Sequence, residues 1–175
     1  MAKPVREGRR CWVLDYADGA QFHMDIVPSV PNGERLRVLL EQANLNADLA
    51  ATSIGITDNE RWNYTIRDED WARSNPRGYV QWFRGRMAVE FERRRRILAE
   101  QTRASVEAIP EYRVRTPLQA AVMILKRHRD MRYRGPACDK PISIIITTLA
   151  AHAYQQETTI SGALMSILRR MDSLI

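Results

Sequence analysis

Asp25 sits in the run His23-Met24-Asp25-Ile26-Val27-Pro28, a carboxylate inside a strand-like alternation that a proline soon ends. Such a group is costly to bury unless it is paired or holds a cation. Mg²⁺ sites for phosphoryl transfer combine one or more carboxylates with substrate phosphate oxygens and water, and Asp25 would supply one of them. The plainer reading stays open: an Asp at a strand end, satisfied by backbone or by a nearby arginine. A second set of residues is basic and hydroxylic. Lys126, Arg127 and Arg129 fall within one turn of a helical pattern, and Ser143 stands in the first turn of a later one. There the free N–H groups and the positive dipole end favour phosphate. Thr147 follows one turn along the same stripe. Lysine and hydroxyl on neighbouring helices would suit a triphosphate tail. Equally, the charge run reads as a solvated face, and Ser143 as a cap of its own helix.

These side chains need elements to hold them. Residues 11–30 read as a hairpin, CWVLDYA and AQFHMDIVPSV, around Asp18-Gly19, a strong two-residue turn signal. A two-residue loop pairs Asp15 with Phe22, Val13 with Met24 and Trp12 with Asp25. Cys11, Val13, Phe22, Met24 and Ile26 then form the core face, with Asp15 at its polar end. Trp12, Leu14, Tyr16, Gln21, His23 and Asp25 form the other, so Asp15 points away from Asp25. Pro28 and Pro31 are expected to end the pairing. A short strand within 52–66, around Ile54 and Ile56, is expected to return to the same sheet.

The remainder is helical. Leu36, Leu39, Leu40 and Ala43 mark a first short helix. Ser74-Asn75-Pro76 opens a second that runs to about Arg103 and carries Tyr79, Trp82, Phe83, Met87 and Phe91. Thr116-Pro117 opens a third, with Leu118, Val122 and Leu125 at core spacing. The fourth, from Pro141, is apolar almost all round and therefore expected to be central. A last helical segment covers 161–174. The fold class is α+β: a partial sheet followed by a mainly helical region. A hairpin is not a stable sheet by itself. Its open edge invites completion by a partner chain.

The 175 residues are 45% hydrophobic and 27% charged, which excludes a disordered, collagenous or disulfide-scaffold chain. Lys and Arg exceed Asp and Glu by 27 to 21, a net charge of +6 that favours anionic partners. Nucleic acid on this basic surface is one reading, and Arg93-Arg94-Arg95-Arg96 its focus. Consecutive residues spread around a helix, however, and most are expected to face solvent or to pair with Glu90, Glu92 and Glu100. Two cysteines, no leader-like apolar run and no membrane-length span point to a cytoplasmic chain. No Walker loop, dinucleotide glycine fingerprint or metal-ligand Cys/His spacing is present.

Taken together, HMDIVP at 23–28, WARSNPRGYVQWF at 71–83, RTPLQAAVMILKRHRD at 115–130 and KPISIIITTLAAHAY at 140–154 resemble the bacterial cyclic-oligonucleotide synthases. These are the cyclic GMP-AMP-synthase-like and dinucleotide-cyclase-like nucleotidyltransferases of anti-phage signalling. The resemblance implies a polymerase-β-like nucleotidyltransferase sheet and a helical domain like that of oligoadenylate synthases. Residues 1–66 would be the C-terminal part of the first, and 67–175 the second. It implies ATP- or GTP-type nucleoside triphosphates as substrates and two Mg²⁺ ions in the complete site. Asp25 would match the third metal-holding, catalytic carboxylate, and Lys126 and Ser143 the triphosphate contacts. The family's Gly-Ser segment and D-x-D pair have no counterpart before Asp25. The chain is therefore expected to be a portion of a synthase, truncated at the N-terminus and at the C-terminus, and inactive alone. A non-catalytic nucleotide-binding or partner-pairing module is the alternative, and a basic nucleic-acid-binding domain another.

Overall fold

The computed structural model describes residues 5–15, 23–42, 48–67, 70–135 and 139–174. The expected Asp18-Gly19 turn, Ala43 and Cys138 lie outside them. The chain forms two compact units, Met1–Trp82 and Phe83–Ile175.

The first unit holds two three-stranded antiparallel sheets. In one, β1 (Arg6–Glu7), β2 (Trp12–Asp15) and β3 (His23–Ile26) lie in that order. In the other, β4 (Ser29–Pro31), β5 (Ile54–Ile56) and β6 (Ala72–Ser74) do. The segment around Ile54 thus does not return to the hairpin. The β3 pairing ends at Ile26, just before Pro28, and β4 ends at Pro31. Pro31 sits on edge strand β4, where its missing N–H costs no ladder bond.

The hairpin register also differs from expectation. Trp12 pairs with Ile26, Val13 with Asp25, Leu14 with Met24 and Asp15 with His23. This is one residue away from the two-residue-loop alignment, so faces are exchanged: Asp15 and Asp25 share a face with Val13, His23 and Arg6. Nor is the other face a core, since Trp12, Met24 and Ile26 are all substantially exposed. With neither face buried, the hydrophobic pattern does not select a register, which a turn dipeptide alone sets weakly.

What this unit buries is largely polar: Asn32, Ser53, Thr57, Asp58 and Asn63. Asp58 accepts from Arg9 Nε at 2.9 Å and Arg10 Nε at 3.0 Å, and from the Glu60 amide at 3.2 Å. The Arg9 hydrogen bond leads in holding its carboxyl far below the usual range, against the opposing effect of burial. α1 (Gly33–Gln42) packs on a 3-10 turn at Ala50–Thr52.

α2 (Pro76–Thr102) is opened by Asn75, whose Oδ1 accepts from the Gly78 amide at 2.9 Å. Arg103, at φ 51°, closes it. The Ala104 amide reaches Ala99 O at 3.0 Å and the Arg103 amide reaches Glu100 O at 3.2 Å, a Schellman closure. In the second unit α3 (Pro117–Arg132) packs on α4 (Ser143–Ala153) and α5 (Ile160–Arg170), burying Leu118, Ala121, Ala150, Ala151, Ala163 and Ile167. Only the C-terminal part of α4 is central: Ile142, Ile144 and Ile145 are exposed, contrary to the all-round apolar pattern. α5 ends at Arg170, and Met171–Leu174 continue as a 3-10 turn.

α3 starts on a capping box. Thr116 Oγ1 accepts from the Gln119 amide at 3.3 Å, and Gln119 Oε1 accepts from the Thr116 amide at 2.9 Å. Thr116 is buried. Thr116→Ala is expected to cost about 1–2 kcal/mol in urea unfolding; an unchanged midpoint would show that the cap contributes nothing.

The arginine run binds its own unit. Glu90 is 1% exposed and accepts from Arg93 Nε at 2.7 Å and Arg94 Nε at 2.6 Å. Arg94 also reaches Thr158 O at 2.8 Å, and Arg95 reaches Ile109 O at 3.2 Å. Arg86 donates to Ala151 O at 2.7 Å and Tyr154 O at 3.2 Å, closing the C-terminus of α4. Pairing with Glu90 was legible at helical spacing; the tertiary carbonyl partners were not.

Candidate functional site

The structure places the expected site residues on two separate frameworks. In the first unit, Asp25 lies on β3 with its side chain half exposed, and His23 Nε2 stands 3.8 Å from its Oδ1. Asp15, on the same face, is engaged by Arg6 Nε at 2.9 Å. Arg6 also feels the Asp25 charge, after the stronger effects of its Asp15 partner and of desolvation. Asp25 is an accessible carboxylate of the kind a divalent cation takes as one ligand among several. Among the described residues no group of three or more His, Cys, Asp or Glu side chains assembles a whole metal site. The residues present therefore fit a shared ion, not one held by the described residues alone.

In the second unit, the basic and hydroxylic set converges on the α3–α4 contact. Lys126 and Thr147 line one cavity of about 410 Å³, together with Phe83, Tyr112 and Met123. Among the described residues Lys126 has no hydrogen-bonding or ionic partner. Thr147 Oγ1 donates to Ser143 O at 2.9 Å, one turn back along α4. Ser143 does not cap its helix: the N-cap is Ile142, and no side chain caps the terminus. The first turn of α4 therefore keeps donors for an anion. Arg129, open in the sequence between a phosphate-holding set and a solvated face, donates from Nη1 to Ser143 Oγ at 2.7 Å and Pro141 O at 3.1 Å. Its side chain is only 11% exposed. Arg127 remains exposed.

Asp130 joins this corner, accepting from Arg129 Nη2 at 2.7 Å, with Lys140 Nζ at 2.7 Å. Lys140 and then Arg129 hold its carboxyl below the ordinary range, so it stays ionised and neutralised. Sequence spacing missed this corner because residues 129, 130, 140 and 143 meet only across the connection between two helices. A larger cavity, about 620 Å³, is lined by Arg84, Met87, Phe91, Glu111, Tyr112 and Gln119, and none of the expected site residues lines it.

No known family profile matches the chain. A c-di-GMP synthase of Roseivirga ehrenbergii is 31% identical over 168 residues, 95% of this chain and 37% of that protein. The solved Bradyrhizobium diazoefficiens CD-NTase CdnG, in complex with GTP, superposes with a TM-score of 0.60 at 21% identity. That match covers 96% of this chain and 46% of the solved one. The chain thus spans less than half of either relative's length. Its α+β fold is similar to that of the solved CD-NTase. Among the described residues no helix is long and apolar enough to cross a membrane.

Proposed function

We infer that the chain, homologous along nearly its whole length to part of a c-di-GMP synthase, is a portion of a cyclic-oligonucleotide synthase. The proposed reaction joins nucleoside triphosphates of the ATP and GTP type into a cyclic product and releases pyrophosphate. The observation that carries this reading is the stripe of Lys126, Thr147 and Ser143 on two packed helices. Its lysine has no partner among the described residues, and its helix start has no side-chain cap. Lys126 would offset phosphate charge. Ser143 would donate to a phosphate oxygen, and the open amides of α4 would add dipolar attraction. Asp25 would orient the attacking ribose hydroxyl and accept its proton as the new phosphodiester bond forms at the α-phosphorus.

Mg²⁺, when bound, would neutralise the triphosphate and polarise the hydroxyl and the leaving oxygen. Asp25 would be this chain's ligand to it. One accessible carboxylate does not hold two ions, so the chain alone is expected to be inactive. We extend the reading to anti-phage signalling, which the family resemblance implies.

Titration with GTP or ATP in Mg²⁺ is expected to show binding, weakened about tenfold or more by Lys126→Ala, the scale of a charge-assisted hydrogen bond. Equal affinity in the variant would sink the triphosphate reading. Cyclic product from the chain alone, lost in Asp25→Asn, would refute the expected inactivity.

A partner-pairing role has its own observation: β3 is an edge strand exposed along its whole length, flanked by exposed Trp12 and Val27. Such an edge supports strand addition by a second polypeptide that completes the sheet.

A further inference from the structure

We propose that Arg129 is a positioning residue that turns Ser143 into an obligate hydrogen-bond donor toward the bound triphosphate. The proposal rests on the reading of Ser143 as a triphosphate contact and goes beyond it.

A guanidinium has five N–H donors and no acceptor. Arg129 spends four of them: Nε on Asp130 at 3.0 Å, Nη2 on Asp130 at 2.7 Å, and Nη1 on both Pro141 O and Ser143 Oγ. With its side chain 11% exposed and one N–H left, it is poorly placed to clamp a phosphate itself. In the Arg129–Ser143 bond the serine oxygen must be the acceptor, so the hydroxyl hydrogen is directed elsewhere. Among the described residues no acceptor takes that hydrogen. The Pro141 carbonyl bond fixes the entry of the chain into α4, and the Thr147 bond to Ser143 O fixes its first turn. Ser143 is thus held from both sides, and its hydroxyl hydrogen is left for a ligand acceptor. A serine without Arg129 would rotate freely and spend part of its time accepting rather than donating.

The geometry separates two kinds of arginine. One that touches phosphate contributes independently of Ser143; one that acts through Ser143 loses its effect when the hydroxyl is absent. Titration of the chain with GTP in Mg²⁺ distinguishes them. Arg129→Met and Ser143→Ala are each expected to weaken binding about tenfold, and the double variant no further than Ser143→Ala alone. GMP, which lacks the outer phosphates, is expected to show a much smaller loss, which a merely structural defect would not spare. Arg129→Lys keeps a donor near the hydroxyl and is expected to stay within about threefold of wild type.

Losses that multiply to about a hundredfold in the double variant would overturn the proposal while leaving the triphosphate reading intact. Ser143→Ala and Lys126→Ala both binding GTP as wild type does would remove that reading, and the proposal with it. Should Arg129→Met fail to fold, Arg129→Lys carries the test. A tenfold loss there that persists on a Ser143→Ala background overturns the proposal.

Discussion

Glu90→Gln is expected to destabilise the second unit by about 3 kcal/mol, the scale for removing one member of a buried ion pair. Glu90 is 1% exposed, and its two oxygens accept three bonds from Arg93 and Arg94. Glutamine keeps the shape but turns an amide N–H₂ toward guanidinium donors, leaving two cations beside an uncharged group. Arg94 is also the strut to Arg115 O and Thr158 O, so its displacement loosens three segments. Denaturant unfolding checks this, and a midpoint equal to wild type would refute it.

The same carboxyl predicts a pH dependence. Burial by itself raises its pKa, but the bonds and charges of Arg93 and Arg94 together outweigh burial, and the net shift is downward. A carboxyl depressed in the folded state contributes stability in full above its unfolded pKa, roughly 4.3. That contribution is lost as pH falls through the folded value. Wild type should therefore weaken in acid below about pH 4, and Glu90→Gln should show a shallower acid limb. Asp58 and Asp130 shift in the same direction, so the limb should shrink rather than vanish. An acid limb of unchanged steepness in the variant would show that Glu90 is not among its sources.

Gly33→Ala is expected to disrupt the first unit although it adds one methyl group. A Cβ at Gly33 would meet Ala51 O at 2.5 Å, Ala51 C at 2.9 Å and Ala50 O at 3.0 Å. All three are backbone atoms of the 3-10 turn, so no flexible side chain can yield. The loss should approach the upper end of overpacking costs, about 3 kcal/mol. Hydrogen exchange locates it: the Asn32 amide, bonded to Ser53 O at 3.0 Å, should exchange much faster. Amides of α3 should keep their protection. Unaltered exchange at Asn32 would mean that the turn moves aside freely.

Helix boundaries were legible because their determinants are local. Asn75-Pro76 and Thr116-Pro117 satisfy first-turn amides with side chains one turn away, and both open helices as expected. Thr159 caps α5 in the same way, by a bond from the Gly162 amide. The hairpin was legible as two strands and misread as a register. Neither face is buried, so the hydrophobic pattern selects no register, and β1, which pairs with β2, lies outside the turn dipeptide. The third strand was recognised near Ile54 and assigned to the wrong sheet. Strand propensity is a property of a segment, while its partners, β4 and β6, are distant in sequence. Among site residues, Lys126 and Ser143 stand out by position and type, while spacing leaves Arg129 open between a phosphate-holding set and a solvated face. Its partners Pro141 and Ser143 lie across a connection whose path no periodicity encodes.

By itself the amino-acid order determined where α2 and α3 start, the α+β class and the net positive charge. Only the folded chain decided that Asp15 and Asp25 share a face and that Glu90 is buried under two arginines. It also decided that Arg129 points at a serine rather than into water. The physical reason is range. Caps and periodicities act within a turn or two of backbone, whereas register, burial and side-chain brackets depend on surfaces brought together from opposite ends of a unit.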